Sequence, residues 1–274
     1  MLLNRPLAAA LLSIGVIATA RAESFSTVAN NPTVLSANGI VAGQFPQGEA
    51  ETSYYFAVDL KAGALASQIS LQGGAKYKSL TLTLLDATGR RIESYYITAG
   101  ANDNNEATRV MPVDNSGRYL LKVTTQGPET SSFRVALGGS VLPNRQPAPA
   151  PVGNSTSYLA PTPVPANGVV KGIFPGGSNY TYYYFAADLK AGNLLTQLSL
   201  AGREGATKWA SVALLDDQGR VASSYFMSRV EANADATRSF PIDRSGRYVL
   251  RVTVQGAEGT EFKVELGGNA LAMQ

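Results

Sequence analysis

The feature that most limits how this chain can fold is an internal duplication with a period near 129 residues. The clearest pair is Asp114–Val123 and Asp243–Val252, where an Asp-x-x-Gly turn leads into alternating polar and apolar positions. Asp suits the first position of such a turn and Gly the fourth, and the alternation predicts a strand with one buried face. A repeat this long indicates two complete domains rather than a stack of small units.

The duplication also sets the predicted boundaries. One domain is expected at residues 23–140 and a second at residues 153–274. Between them, residues 141–152 form a linker in which prolines alternate with small residues. This composition favours an extended, semi-rigid polyproline II spacer.

Residues 1–22 resemble a secretory signal peptide. Arg5 supplies the positive start, a short apolar run follows, and Ala20–Ala22 has the small-residue form of a cleavage site. The apolar run is short for a membrane span, so we expect a secreted or periplasmic protein without an integral membrane segment. Removing this segment leaves 21 basic against 20 acidic residues, and no basic cluster suggests nucleic-acid binding.

Each copy contains about eight short apolar stretches with alternating polarity, separated by Asp- and Gly-containing turns. That spacing predicts an all-β protein of two tandem jelly-roll-like β-sandwiches. The first-copy strands are expected near residues 38–45, 53–60, 64–71, 79–85, 90–97, 107–113, 117–125 and 131–137.

The same alternation predicts which side chains fill the two cores. In the first copy these are Tyr54, Phe56, Val58, Leu60, Leu65, Ile69, Leu71, Leu80, Leu82, Leu84, Phe133, Val135 and Leu137. In the second they are Tyr183, Phe185, Leu189, Leu194, Leu198, Leu200, Phe262, Val264 and Leu266.

Several kinds of catalysis are excluded by composition. The chain has no His and no Cys, which removes Ser-His-Asp triads, imidazole metal sites, thiol catalysis and thiolate zinc sites. The P-loop and Ser-x-x-Lys motifs are absent as well. Carboxylate-pair chemistry remains available, but most Asp residues begin turns, so we predict a protein that is not an enzyme.

The segment Asn102–Glu106 is the best calcium candidate, with Asp103, Asn105 and Glu106 as ligands. It places several oxygen atoms close together, as a hard cation requires. It lacks the spacing of a dedicated calcium loop, and the second copy has fewer such residues. We therefore predict no cofactor and no tight calcium site, and the alternative is a polar surface loop.

Outward-facing aromatic residues suggest a binding surface. Tyr55, Tyr182 and Tyr184 lie on the parity opposite to the predicted core, and Trp209 takes the place of Ser79 in the first copy. Exposed rings stack on sugars or anchor protein partners. The competing interpretation is packing of these rings under the other domain, a loop or a second subunit.

Three motifs resemble the bacterial pre-peptidase C-terminal domain: Tyr-x-Phe-x-x-x-Leu-x-Ala-Gly, Leu-Leu-Asp-x-x-Gly and Ser-Gly-Arg-Tyr-x-Leu-x-Val. In the first copy they occupy Tyr54–Gly63, Leu84–Gly89 and Ser116–Val123. The resemblance implies a compact β-sandwich of the kind appended to secreted enzymes, some relatives of which bind calcium or extracellular polymers. In a departure from that pattern, we expect no peptidase domain before the copies.

We therefore expect a non-enzymatic protein that binds an extracellular or envelope polymer, either polysaccharide or protein. One alternative is an accessory or regulatory subunit that docks onto a secreted enzyme. A further alternative is a carboxylate-dependent glycan hydrolase.

Overall fold

The computed structural model describes residues 25–36, 39–48, 50–139, 141–142, 153–176 and 180–271. The predicted signal peptide at residues 1–22 and most of the predicted linker lie outside these ranges. Within them the chain forms strands, turns and loops, with no helix and hence none that could cross a membrane. The all-β prediction is confirmed.

Nine strands build the first domain. They are β1 (Thr33–Val34), β2 (Ile40–Gln44), β3 (Thr52–Leu60), β4 (Gly63–Gly73), β5 (Lys78–Leu85), β6 (Arg91–Ala99), β7 (Asn105–Val113), β8 (Gly117–Gln126) and β9 (Ser131–Gly138). A five-stranded sheet has the order β1-β3-β8-β5-β6, and a four-stranded sheet has the order β2-β9-β4-β7. Two sheets interleaved along the chain in this way form a jelly-roll sandwich.

The second domain repeats this arrangement. Its strands are β10 (Thr162–Pro163), β11 (Val169–Ile173), β12 (Thr181–Leu189), β13 (Gly192–Ala201), β14 (Lys208–Leu215), β15 (Val221–Arg229), β16 (Asn233–Ile242), β17 (Gly246–Gln255) and β18 (Glu261–Gly267). The five-stranded sheet is ordered β10-β12-β17-β14-β15 and the four-stranded sheet β11-β18-β13-β16. Equivalent strands therefore occupy equivalent places in the two sandwiches.

Local chemistry explains why one hairpin of each domain turns where it does. In the first domain, the Asp86 carboxylate accepts hydrogen bonds from the backbone N–H groups of Thr88 and Arg90, each at 2.9 Å. Gly89 completes the turn in a left-handed conformation, with φ of +83°, which a residue with a side chain rarely adopts. Asp216 makes the same contacts in the second domain, so the two hairpins have one design.

Each sandwich encloses its own core, and all of the core residues predicted from the sequence are buried. They lie in two separate clusters, one in each domain. The first core also takes in Val141, which is fully buried and whose carbonyl accepts a hydrogen bond from Lys61 N at 2.8 Å. The first residue of the predicted linker therefore packs with the first domain.

Candidate functional site

The two domains contact each other through strand β7 of the first and the β14–β15 turn of the second. Thr108 Oγ1 donates a hydrogen bond to the Gly219 carbonyl at 2.7 Å, and Val110 N donates to the Gln218 carbonyl at 2.9 Å. A Cβ atom on Gly219 would stand 3.3 Å from Arg109 N. The bare glycine therefore allows the turn to approach the edge strand this closely.

An apolar cluster lies beside these hydrogen bonds. Tyr184 packs with Tyr158, Leu215 and Val249, and Ala66 of the first domain packs against the group. The rings of Tyr158 and Tyr184 meet edge to face with centroids 6.0 Å apart. Tyr184 faces away from the core of its own sandwich, as the alternation predicts, but it is fully buried under the first domain. The expectation of an accessible ring is therefore wrong, and the alternative interpretation, packing under the other domain, holds.

Glu106 links this cluster to the first domain. One carboxylate oxygen accepts a hydrogen bond from the Tyr184 hydroxyl, and the other accepts one from Gln68 Nε2 at 3.0 Å. The Oε1 atom of Gln68 in turn accepts the N–H of Tyr158 at 3.1 Å. Burial raises the pKa of Glu106 to about 7, although the Gln68 hydrogen bond and the positive charge of Arg251 oppose the shift.

A cleft of about 350 Å³ opens between the domains next to this interface. The β6–β7 loop and the start of β7 form one wall, and the outer face of the second domain's five-stranded sheet forms the other. Asp103, Asn104 and Glu106 contribute from the first domain, and Tyr180, Tyr182 and Trp209 from the second. The cleft therefore combines carboxylate and amide groups with aromatic rings.

The β6–β7 loop is held in place from within the first domain. Lys78 is completely buried, and its ammonium group donates to the Gly100 carbonyl at 2.9 Å. Asn102 adopts a left-handed conformation, with φ of 59°, and its N–H donates to the Gly74 carbonyl at 2.7 Å. Asp103 remains exposed at the tip of this loop, so a carboxylate is presented from a fixed backbone.

Three aromatic rings of the second domain form a continuous surface at the cleft. Trp209 lies 5.0 Å from Tyr180 and 6.4 Å from Phe226, measured between ring centroids, and its plane is 24° from that of Phe226. Phe226 is 69% exposed, and Trp209 is partly exposed. Adjoining exposed rings form a contiguous apolar patch, which is the kind of surface found at interaction sites.

Arg251 occupies the floor of the cleft beside Tyr182. Its guanidinium carbon lies 6.0 Å from the centre of the Tyr182 ring, within cation–π range. Its Nε atom is buried and has no hydrogen-bond partner among the residues that the structure describes. Burial raises the pKa of the Tyr182 hydroxyl, and the negative charge of Glu106 raises it further. The cleft therefore has a cationic side chain in its lining.

Strand register explains why these side chains meet. In the five-stranded sheet Tyr182 pairs with Thr253, Thr253 with Ser211, and Ser211 with Phe226. Side chains of directly paired residues project to the same face of a sheet. Trp209 lies two residues before Ser211 and so has the same parity. Residues from four strands therefore form one outward surface.

The three predicted calcium ligands have separate roles. The Asn105 side chain donates to the Thr98 carbonyl at 2.7 Å and accepts the N–H of Glu106 at 2.8 Å. One oxygen of Glu106 is engaged by Tyr184 across the domain interface and the other by Gln68 within the first domain, and Asp103 stands apart on the loop tip. Among the described residues no cluster of three or more carboxylate, His or Cys groups is placed to hold a metal.

Of the four predicted ligand-binding aromatics, Trp209 and Tyr182 line the cleft. Tyr55 lies elsewhere, on the first domain, where the Lys122 ammonium is 6.0 Å from its ring centre. Sequence reasoning missed Tyr180, Phe226 and Arg251 as members of the same surface. Phe226 and Arg251 had a usable signal, because both lie on the outward parity of predicted strands.

A larger apolar depression of about 850 Å³ lies within the second sandwich, near Asn154, Tyr183 and Phe262. The residue equivalent to Asn154 in the first domain is Phe25, whose ring packs 5.1 Å from that of Phe56. This depression therefore marks a place where one domain lacks a ring that the other has. The accessible lining of this depression is mostly apolar, whereas that of the interdomain cleft is mostly polar. We therefore take the cleft, which combines rings with polar groups, as the candidate site.

No family model and no curated protein matches this chain. Solved structures with similar β-architecture include the N-terminal CBM22-1-CBM22-2 tandem domain of Xyn10C from Paenibacillus barcinonensis, at 9% identity, with 84% of this chain and 90% of that chain covered and a TM-score of 0.24. An uncharacterised Burkholderia cenocepacia protein is 12% identical, with 85% and 83% covered and a TM-score of 0.27. A striped bass (Morone saxatilis) serum fucolectin is 10% identical, with 86% and 89% covered and a TM-score of 0.21. Values this low support no argument about function.

Proposed function

We propose that this chain is a secreted or periplasmic, non-enzymatic protein that binds polysaccharide in the cleft between its two domains. The observation that carries the proposal is the aromatic surface of Trp209, Tyr180 and Phe226, which opens beside polar groups of both domains. The motif resemblance to pre-peptidase C-terminal domains fits an exported binding module and remains a proposal with it.

The chemistry of the cleft suits a sugar. A pyranose ring has an apolar C–H face, which stacks on an aromatic ring, and a rim of hydroxyl groups, which needs donors and acceptors. Trp209 and Phe226 supply the flat apolar surface, while Arg251, Asp103 and Ser211 supply polar contacts at its edge. Clefts at domain interfaces with a few convergent polar groups are common ligand sites.

The position of Glu106 favours binding over hydrolysis. A glycosidase needs two free carboxyl groups facing the scissile bond. Both oxygens of Glu106 are already engaged, one by Tyr184 of the second domain and the other by Gln68 of the first domain. Asp103 is then the only exposed carboxylate among the described residues of this cleft.

Trp209 fluorescence offers a direct test, since it is the sole tryptophan in the sequence. The protein would be titrated with soluble β-glucan, xylan, chitin oligosaccharide and peptidoglycan fragments, with sedimentation assays for insoluble polymers. We expect a shift or quenching with at least one of these glycans, and no release of reducing ends during the incubation.

Variants separate binding from packing. Trp209→Ala and Tyr180→Ala, measured by calorimetry or sedimentation, should each weaken glycan binding roughly tenfold, because each removes a stacking ring. Tyr96→Ala is the matched control: Tyr96 is the first-domain equivalent of Phe226, is 71% exposed, and does not line the cleft. Absence of binding to every glycan would reject the proposal, as would unchanged affinity in both cleft variants.

The alternative of docking onto a secreted enzyme predicts a different result. In that case the same aromatic surface would bind a protein, and the glycans would leave Trp209 fluorescence unchanged. Glycan binding that the Trp209→Ala variant abolishes would therefore favour the polysaccharide proposal over the accessory-subunit alternative.

A further inference from the structure

The four-stranded sheets of the two domains have the same design, but only one is covered. In the first domain, Gln68 and Thr108 are 3% and 2% exposed, because the second domain packs over them. Their equivalents in the second domain are Gln197, which is partly exposed, and Thr237, which is exposed. Leu195, on the same outer face, is 47% exposed. The second domain thus repeats this docking surface, and within the described part of the chain the repeat is left open.

The groups that bind the second domain recur on this open surface. Thr108 donates to the Gly219 carbonyl, Gln68 accepts the Tyr158 N–H, and Glu106 accepts the Tyr184 hydroxyl. By the duplication, Thr108, Gln68 and Glu106 correspond to Thr237, Gln197 and Asp235. Hydrogen-bonding capacity of the same kind is therefore present at each position.

The opposing surface recurs as well, on the five-stranded sheet of the first domain. Tyr184, Leu215, Val249 and Gly219 correspond to Tyr55, Leu85, Leu120 and Gly89. The first-domain turn has the same internal hydrogen bond, from Gly89 N to the Asp86 carbonyl at 2.9 Å. Tyr55, Leu85 and Leu120 are each partly exposed, whereas Tyr184 and Leu215 are fully buried at the existing interface.

Charge and volume are matched between the two unused surfaces. At the existing interface the charge of Arg251 acts on Glu106, and the equivalent residues, Lys122 and Asp235, are again of opposite sign. At the existing interface a small Ala66 packs against the cluster that holds the large Tyr158 ring. On the two unused surfaces the larger side chain is on the sheet side instead, since Leu195 corresponds to Ala66 and Ala29 corresponds to Tyr158.

The edge strand points to the same kind of contact. β7 is an edge strand, and its Val110 N–H is used by the turn of the second domain. β16 is the equivalent edge, and Ser239, in the position of Val110, is exposed. Exposed edges are usually blocked or paired, because their free backbone groups recruit other chains.

We propose that the open sheet face of the second domain binds the first domain of another copy of this chain, repeating the contact between the two domains within one copy. We define the open sheet face as Leu195, Gln197, Asp235, Thr237 and Ser239, and the turn face as Tyr55, Leu85, Thr88, Gly89 and Leu120. Because the two faces differ, the contact is heterologous and produces head-to-tail chains or closed rings rather than a symmetric dimer.

The test is sedimentation analysis of the mature chain from micromolar to millimolar concentration. Wild type should show a weight-average mass that rises with concentration beyond that of a dimer. Leu195→Glu on the open sheet face and Leu120→Glu on the turn face should each remain monomeric. Tyr77→Glu, at a residue that is 62% exposed outside both faces, should behave as wild type.

Mixing the two blocked variants distinguishes this geometry from others. Each variant keeps the face that the other has lost, so an equimolar mixture should form a 1:1 dimer and nothing larger. A charge exchange adds a second check: Asp235→Lys and Lys122→Glu should each weaken association, and the double variant should restore it. Circular dichroism would verify the fold of every variant.

A wild type that stays monomeric at all concentrations would overturn the proposal. So would a mixture of Leu195→Glu and Leu120→Glu that remains monomeric while wild type associates, because another surface would then be responsible. The outcome does not depend on glycan binding, since neither face includes a residue of the aromatic surface.

Discussion

The two domains share one scaffold and differ in what their outer faces carry. On the five-stranded sheet, the first domain has Ser79 and Tyr96 where the second has Trp209 and Phe226. On the four-stranded sheet the first domain is covered and the second is open. After a duplication, residues that fill the core stay constrained by packing, while outward positions are free to change. The candidate glycan site is therefore a property of the second domain completed by a loop of the first.

The largest expected effect tests whether two equivalent tyrosines, one in each domain, are equally buried. Tyr119 is 7% exposed and donates to the Asn115 carbonyl at 2.5 Å, whereas Tyr248 is partly exposed and donates to the Arg244 carbonyl at 2.8 Å. By denaturant unfolding, Tyr119→Ala should cost about 3–5 kcal/mol. Tyr248→Ala should cost less, because its ring keeps some contact with water.

The matched control for this pair is Tyr→Phe at each position. It removes only the hydroxyl hydrogen bond, and about 1 kcal/mol should be lost in both domains. Equal losses for the two Ala variants would contradict the difference in burial.

The next effect concerns the contact between the two domains, to which the first domain contributes a buried carboxylate. Glu106 has a pKa raised to about 7 by burial. A raised pKa means that the folded protein binds this proton more tightly than the unfolded chain. The stability it contributes is then full below about pH 4.5 and is lost as the pH rises through about 7. Between pH 5 and 8, wild type should lose about 1–3 kcal/mol relative to Glu106→Gln.

Thermal or urea unfolding at a series of pH values would measure this loss. The matched control is Asp235→Asn, measured at a concentration at which the chain is monomeric. It changes the equivalent but exposed carboxylate of the second domain, and its stability should depend on pH as that of wild type does. A Glu106→Gln variant with the same pH dependence as wild type would show that another group titrates.

A smaller effect follows from the ring that only the first domain has. Phe25 packs edge to face on Tyr54 and Phe56, with centroids 5.8 Å and 5.1 Å away. Phe25→Ala should destabilise the protein by about 1–3 kcal/mol, since the ring is partly buried. Asn154→Phe in the second domain should stabilise by about 1 kcal/mol or less by filling part of the depression.

Val28→Ala provides a control for this comparison, at a residue that is 56% exposed. Chemical denaturation would be the measurement. If Asn154→Phe destabilised the protein as much as Phe25→Ala, the depression of the second domain would not be an equivalent of the Phe25 site.

The smallest expected effect is that of calcium. Asn105 and Glu106 are already held by protein groups, so only Asp103 remains free among the three predicted ligands. Millimolar calcium or a chelator should leave the melting temperature unchanged, in wild type and in Asp103→Ala. Sub-micromolar binding by calorimetry, lost in Asp103→Ala, would show that the loop rearranges around a metal.

The sequence by itself determined the architecture. Alternation along Tyr54–Leu60 and its repeat at Tyr183–Leu189 is a local property of a half-buried strand, so it identified the inward face without knowledge of the neighbours. Turns such as Asp86–Gly89 depend on hydrogen bonds within a few residues, and these too were evident. Core rows and most strand limits followed from such short-range rules.

Only the tertiary structure decided which outward residues are accessible. Tyr182 and Tyr184 are two positions apart and lie on the same face of the strand. Tyr182 nevertheless lines the cleft, whereas Tyr184 is buried and donates a hydrogen bond to Glu106. Their fates depend on how one rigid sandwich sits against the other, which is set by contacts far apart in sequence, such as Thr108 with Gly219. Parity fixes the side of a sheet on which a ring stands, but the neighbour that covers it is determined by long-range packing.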